Sequence, residues 1–203
     1  IAIHGFGNVG MFAAVAAEQA GHKVIAVSDI SGGIYNPDGI DVSSASKWIQ
    51  EHRFLEGYPE ADHIPGNDIF GLECDVLIPA AVQGVLNADT AKDVKAKIVI
   101  EGANNPTTIE GDEILRERGI FIVPDILANA GGVTVSYFEW VQDVQKYFWT
   151  ENEVVARLRE IMTRAFDDVY SVAISENVDM RTAALIKGIR RVADAKLVRG
   201  VFP

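Results

Sequence analysis

The sequence contains a single cysteine, Cys74, so no disulfide bond can form within the chain. Its four histidines show no spacing, with one another or with Cys74, that is typical of metal ligands. We therefore expect no metal site. A chain with one cysteine also fits a reducing compartment, and we expect the cytoplasm. Cys74 precedes the apolar run DVLIPAA, where a buried thiol is more typical than a nucleophile.

Basic residues are also scarce: 18 lysines and arginines stand against 29 acidic residues, which gives a net charge of −11. Such a chain repels phosphate backbones, so we expect no nucleic-acid partner. No apolar run approaches the roughly 20 residues that a membrane-spanning helix needs, and we expect no membrane partner. Hydrophobic residues make up 48% of the 203 residues, which is ordinary for a globular chain with one sizeable core.

The beginning of the chain has a strand–helix–strand pattern. The runs IAIH and KVIAVS are β-branched and bounded by glycine, and the alanine-rich segment between them predicts a helix that ends at Gly21. Two neighbouring strands joined by a helix run parallel. Strands in DVLIPA, KIVIEGA and IFIVPD then alternate with helices in NADTAKDVKA and TTIEGDEILRERG. We predict an α/β fold, a doubly wound parallel sheet of the Rossmann type, over residues 1–130.

Other segments predict turns, caps and a helical C-terminal extension over residues 131–203. SGGIYNPDGI indicates a loop or small hairpin, SSASKWIQEHR a helix with a serine N-cap, and residues 54–68 an irregular stretch. Thr107 with Glu110, and Thr150 with Glu153, match the capping box at a helix start, and Asp179 caps the last helix. One apolar helix face is predicted from spacings of three and four: Val154, Leu158, Ile161, Ala165, Val169 and Val172.

The motif Gly5-Phe6-Gly7-Asn8-Val9-Gly10 matches G-x-G-x-x-G, which is weak evidence by itself. It follows a strand, opens a helix, and has an acid nineteen residues after its last glycine, Asp29. In that context the glycines permit a tight turn, close approach of a pyrophosphate and close helix packing, and the acid binds ribose hydroxyls. The alternative is a plain α/β turn with a solvent-facing aspartate.

Five segments in order resemble the coenzyme-binding half of the hexameric glutamate dehydrogenases, within the glutamate/leucine/phenylalanine/valine dehydrogenase family. They are IHGFGNVG, VSDISGGIYNPDG, CDVLIPAA, EGANNPTT and PDILANAGGVTVSYFEWVQ. The resemblance runs from end to end, and NAGGVTVSYFEW favours the glutamate enzymes over those for leucine or phenylalanine. Gln83 and Gly84 depart from the Glu-Asn pair that is more usual in the family.

This resemblance implies an NAD-dependent enzyme, with NADP possible, that converts L-glutamate into 2-oxoglutarate and ammonia as a homo-hexamer. It also implies that the catalytic residues lie in a further domain that precedes Ile1, so we expect none in this chain and no activity from it alone. Two alternatives stay open, a leucine- or phenylalanine-type dehydrogenase domain and a non-catalytic NAD-sensing module.

Site residues follow from the resemblance position by position. The coenzyme contacts it implies are Gly5, Gly7, Asn8, Val9 and Gly10 at the pyrophosphate, Ser28 and Asp29 at the adenosine ribose, Ala80 and Ala81 along the cleft, Asn104 at the nicotinamide ribose and Asn129 at the carboxamide. Val133 and Ser136 are implied at the substrate side chain. Ordinary turn chemistry is the alternative for the two asparagines, and a buried structural role is the alternative for the serine.

An aromatic cluster in the extension invites comparison with base-stacking surfaces. Its members are Tyr137, Phe138, Trp140, Tyr147, Phe148 and Trp149. Basic residues are not interleaved with them, so we expect packing between domains or between subunits instead.

Overall fold

The computed structural model describes residues 1–200, and it divides the chain into two compact units, one up to Asp125 and one from Ile126 onward. We predicted this boundary after residue 130. Residues 201–203 of the predicted extension lie outside the described residues.

Within the described residues, the first unit is built on a seven-stranded sheet in the order β4-β3-β2-β1-β5-β6-β7. The strands are β1 (Ala2–His4), β2 (Ala26–Asp29), β3 (Gly32–Tyr35), β4 (Asp62–Ile64), β5 (Val76–Pro79), β6 (Ile98–Ile100) and β7 (Phe121–Val123). β1 pairs in parallel with β2 on one side and β5 on the other, and β6 and β7 continue in parallel. The predicted doubly wound α/β sheet is therefore confirmed, with β1 and β5 at its topological switch point.

One edge of the sheet is antiparallel. β3 returns beside β2 and β4 returns beside β3. Residues 31–40, predicted as a loop or small hairpin, supply β3, the second strand of a hairpin with β2, and then a turn. The prediction of an irregular stretch over residues 54–68 is wrong at β4. The three residues of β4 have no hydrophobic alternation, and the strand forms because its backbone pairs with β3. Polar residues on an edge strand are ordinary, since that edge faces solvent.

Helices cover both faces of the sheet. Ile3 and Val27 point to the face packed by α1 (Asn8–Gln19) and α2 (Val42–His52). The alternate residues Ala2 and Ala26 point to the opposite face. That face is packed by a 3₁₀ helix (Gly66–Gly71), α3 (Thr90–Asp93) and α4 (Ile109–Glu117). Burial on both faces explains why the strands are continuous apolar runs.

Three predicted helix details differ by short distances along the chain. The N-cap of α2 is Asp41, whose carboxylate accepts from Ser44 N at 2.8 Å, and not a serine. The N-cap of α4 is Thr108, since Thr107 is engaged in a bridge with Leu86 and the helix begins one residue later. The helix predicted in NADTAKDVKA is a single turn, which ends where Val94 becomes extended.

The second unit consists of helices. They are α5 (Asp125–Ala128), whose first residue belongs to the first unit, α6 (Ala130–Gln145), α7 (Glu151–Glu176) and α8 (Met180–Arg199). The capping box of Thr150 and the cap at Asp179 are both present. The apolar face of α7 was predicted wrongly at one position, since Ile161 is 41% exposed and Met162 takes its place. Along α7, Leu158, Met162 and Ala165 lie on the half-buried side, and Ile161 lies outside it.

Across the part of the chain that the structure describes, no helix is long and apolar enough to cross a bilayer. In the same residues, no group of three or more histidine, cysteine, aspartate and glutamate side chains is placed to hold a metal ion. Cys74 is half-buried, and burial raises the pKa of its thiol, which keeps it protonated and unreactive near neutral pH.

Candidate functional site

A cleft of about 400 Å³ lies at the carboxyl ends of β1, β2 and β5 in the first unit. Ligands of open α/β sheets bind at this edge, beside the switch point. Ten residues line the cleft: His4, Gly5, Phe6, Gly7, Ser28, Asp29, Ile30, Ala80, Ala81 and Val82. The structure therefore brings together six of the predicted coenzyme contacts, which were the first two motif glycines, the end of β2 and the two alanines after β5.

Two of the three motif glycines are required by the fold itself. Gly5 has φ +100°, and a Cβ there would lie 2.6 Å from the backbone of Ala81. Its N–H donates to Ser28 O at 3.0 Å, which joins the loop to β2. A Cβ on Gly10 would overlap the carbonyl oxygen of Gly5. These glycines let α1 pack directly against the loop that precedes it.

Gly7 is different, because nothing in the protein requires a glycine there. It is the N-cap of α1, with φ −80° and ψ −163°, which any residue adopts. A Cβ on Gly7 would meet no atom within 4 Å and would project into open space at the cleft. No side chain caps this helix end, where Asn8 and Val9 carry first-turn amides without intrahelical acceptors. The space, the free amides and the helix dipole fit a pyrophosphate.

The wall of the cleft contains two polar side chains with orphaned atoms. Ser28 is 1% exposed, and its Oγ has no hydrogen-bond partner. His4 Nδ1 is likewise buried without a partner, and its ring lies 4.8 Å from the ring of Phe70. Burial lowers the pKa of His4, so the ring is neutral at pH 7. Buried polar groups are nearly always satisfied, so these two orphaned atoms distinguish this wall of the cleft from ordinary core.

Asp29 supports the loops around the cleft. Its Oδ1 accepts from Ser31 N at 2.7 Å, and its Oδ2 accepts from Leu55 N at 2.8 Å. Asp29 is half-buried and its side chain has fixed partners, so it also has a structural role. Ser31 Oγ also donates to Oδ1, so three of the about four acceptor sites of the carboxylate are occupied and one is left for a ribose hydroxyl. The predicted ribose contact stays a prediction.

Asn104 lies in the exposed loop after β6 and does not line the cleft. The loop is held against the end of the neighbouring strand, since Gly102 N and Ala103 N both donate to Pro79 O, at 3.1 and 2.9 Å. Asn104 therefore follows a segment that is fixed beside β5.

The remaining predicted residues belong to the second unit. Asn129 is the N-cap residue of α6, and Val133 and Ser136 follow it by four and seven residues, which places all three along one side of that helix. Val133 is 71% exposed, and Ser136 is exposed as well. The alternative of a buried structural serine is therefore wrong.

Sequence reasoning missed several lining residues of the cleft. His4, Ile30 and Val82 each stand within two residues of a strand end that was predicted. The rule that ligands bind at the carboxyl ends of parallel strands selected Asp29 and Ala80, and it could have selected these three residues as well. No local pattern reveals that the ring of His4 packs beside that of Phe70 with its Nδ1 unpartnered.

The model of the Glutamate/Leucine/Phenylalanine/Valine dehydrogenase family matches residues 1–200. The chain belongs to this family. It is 53% identical to the glutamate dehydrogenase of Thermotoga maritima over 204 positions, which cover 100% of this chain and 49% of that protein. The predicted resemblance is therefore confirmed.

Solved structures of family members have the same fold. The hetero-hexameric glutamate dehydrogenase of Thermus thermophilus, in a Leu-bound form, superposes with a TM-score of 0.91 at 37% identity, over 100% of this chain and 48% of that one. The glutamate dehydrogenase of Peptoniphilus asaccharolyticus gives a TM-score of 0.84 at 37% identity, over 99% and 47% of the two chains. The chain spans about half the length of these relatives.

Proposed function

We propose that the chain is the coenzyme-binding domain of a glutamate dehydrogenase that uses NAD. The observation that carries this proposal is Gly7, a glycine that the fold does not require, placed at an uncapped helix N-terminus beside a cleft. Similarity to named glutamate dehydrogenases supports glutamate as the substrate over leucine or phenylalanine.

In the proposed enzyme, L-glutamate is oxidised to an imino acid, which water hydrolyses to 2-oxoglutarate and ammonia. When bound, the nicotinamide ring of NAD would accept the hydride that leaves the α-carbon of glutamate. The amides of Asn8 and Val9 hold the pyrophosphate, Ser28 and Asp29 bind the adenosine ribose, and the small side chains of Ala80 and Ala81 leave the cleft open. Asn104 contacts the nicotinamide ribose and Asn129 the carboxamide.

The second unit supplies substrate contacts in this proposal. Val133 packs against the methylene groups of glutamate, and the Ser136 hydroxyl donates a hydrogen bond to the far carboxylate. Catalytic groups come from the rest of the enzyme, which works as a homo-hexamer in the cytoplasm. The Thermus thermophilus relative is a hetero-hexamer, which supports an assembly of six subunits and leaves their identity to this proposal. NADP is a second coenzyme that the cleft could accept.

Titration of the 203-residue chain with NADH tests the proposal. We expect binding with a dissociation constant of about 1 mM or below, which corresponds to roughly −4 kcal/mol and suits a cleft with only part of its walls. Calorimetry and nicotinamide fluorescence both measure it. The same chain should not oxidise glutamate, because proximity and general-base effects of missing groups multiply. No binding at millimolar NADH would contradict the proposal.

A further inference from the structure

A buried carboxylate lies at the end of β6, close to the proposed nicotinamide half of the coenzyme site. Glu101 is fully buried and directly follows the strand. Its Oε2 accepts a hydrogen bond from Asp125 N at 2.7 Å, and its own N–H donates to Val123 O at 3.0 Å. Buried glutamates are rare unless partners hold them, so this residue fixes the backbone at the start of α5.

Asp125 carries the connection onward to the loop after β6. Its Oδ2 accepts from Asn105 N at 2.8 Å. Asn105 has φ +45°, a left-handed conformation that asparagine adopts more readily than most residues with a side chain. The carboxylate of Asp125 therefore bonds the amide of the residue at which the loop turns.

Asn104 lies between two anchored neighbours. On one side, Ala103 N donates to Pro79 O at the end of β5, and on the other side Asn105 N donates to Asp125. The carbonyl of Asn105 also accepts from Gly84 N at 2.9 Å. The path from Glu101 through Asp125 to Asn105 thus fixes the backbone from which the Asn104 side chain projects.

We propose that Glu101 and Asp125 are positioning residues for the nicotinamide half of the coenzyme, and that they act by holding Asn104 in place. This inference rests on the proposed function, in which Asn104 contacts the nicotinamide ribose. A carboxylate suits each position because it accepts from a backbone amide and bonds to charged acceptors are strong. The adenosine half is held by other residues, so the two halves of the ligand respond differently to a change at Asp125.

Three ligands separate the two halves. ADP ends before the second ribose, ADP-ribose includes it, and NADH adds the nicotinamide. We expect Asp125→Ala to weaken NADH and ADP-ribose binding by roughly three- to tenfold, the range that one hydrogen bond is worth, and ADP binding by less than about twofold. Asp125→Asn keeps one acceptor oxygen and should recover most of the affinity, and Glu101→Gln should behave in the same way.

A double-mutant cycle decides whether Asp125 acts through Asn104. Asn104→Ala should reproduce the ligand pattern, and the variant with both changes should bind NADH no more weakly than the weaker single variant. The control is Asp41→Ala, which removes a carboxylate-to-amide bond of the same 2.8 Å length at the cap of α2. It should leave the ratio of NADH to ADP affinity unchanged. If Asp125→Ala does not fold, Asp125→Ser replaces it.

Each outcome decides the matter. Selective loss of NADH and ADP-ribose, without additivity, supports the positioning role. Equal weakening of all three ligands identifies a general structural support, and unchanged affinities show that Asn104 needs no support, so both overturn the inference. Full additivity with Asn104→Ala overturns it as well. If the unchanged chain binds none of the three ligands, the proposed function fails first, and this inference fails with it.

Discussion

The apolar side chains that remain exposed are distributed differently in the two units. In the first unit, exposed apolar residues are spread over several elements: Ile30 and Val82 line the cleft, whereas Phe12 and Ile109 lie in α1 and α4. In the second unit, exposed apolar residues recur along α6 at spacings of four and three: Val133, Tyr137, Trp140 and Val144. The ligand cleft accounts for two of the exposed apolar residues of the first unit. The helices of the second unit, taken alone, do not account for the stripe on α6.

The largest expected effect is a loss of stability from an alanine at a glycine of the first unit, compared with the same change at a glycine of the second unit. Gly10→Ala should destabilise the chain by about 3 kcal/mol or more, because the added Cβ overlaps the carbonyl oxygen of Gly5. Gly188→Ala in α8 meets no atom within 4 Å and should be neutral or stabilising by up to about 1 kcal/mol. Thermal unfolding measures both. Equal stability of the two variants would remove the distinction.

Ser136→Ala tests the second unit in a complete enzyme. The proposed hydrogen bond from its hydroxyl to the far carboxylate of glutamate would be worth about 1.5–3 kcal/mol. We therefore expect kcat/KM for glutamate to fall by roughly ten- to a hundredfold while NAD affinity stays constant. Thr134→Ala is a suitable control, since that hydroxyl is already bonded to Ala130 O. Kinetics within twofold of the unchanged enzyme would return Ser136 to a surface role and reopen the choice of substrate.

Asp29→Ser should raise the ratio of NADP to NAD affinity by about fivefold, since it removes a repulsion of roughly 1 kcal/mol between a carboxylate and a 2′-phosphate. The variant also loses bonds to Ser31 and Leu55, and it should be less stable for that reason. Ser31→Ala separates the effects, because it changes the turn and leaves the charge. An unchanged coenzyme ratio in Asp29→Ser would show that the carboxylate does not face the ribose.

The smallest expected effect is a pH dependence of stability from His4. Burial holds the pKa of the folded ring below its ordinary 6.5, so the unfolded chain takes up the proton first. The stability from the neutral ring is complete above pH 6.5 and is lost as the pH falls through the lower, folded value. His4→Gln should therefore flatten the decline of Tm between neutral and acidic pH. The exposed His22 supplies the control variant, His22→Gln, and equal slopes in both would count against this account.

Local patterns predicted the parts of the fold that local chemistry determines. The parallel strands, the turn at Gly21 and the capping box at Thr150 follow from residues close together in sequence, and the structure has them. β4 was not predicted, because its strand conformation comes from pairing with β3 and not from its own residues.

In the candidate site, too, the sequence predicted what depends on residues close together along the chain. The strand ends could be located from the sequence, which brought Asp29 and Ala80 to one cleft. The second role of Asp29 could not be predicted, since Leu55 is 26 residues away and donates only after α2 has packed. The buried Glu101 looks in sequence like any glutamate, and only the position of Asp125 N reveals its function in the fold.

Gly7→Ala tests the central claim most directly, because the fold leaves room for a Cβ there and a pyrophosphate would not. The account predicts a Tm within about 2 °C of the unchanged chain, and NADH binding weakened by at least about tenfold because the Cβ would occupy the space of the pyrophosphate. Gly188→Ala, the matched glycine away from the cleft, should keep full NADH affinity. Unimpaired NADH binding by Gly7→Ala would contradict the claim that this loop holds the coenzyme.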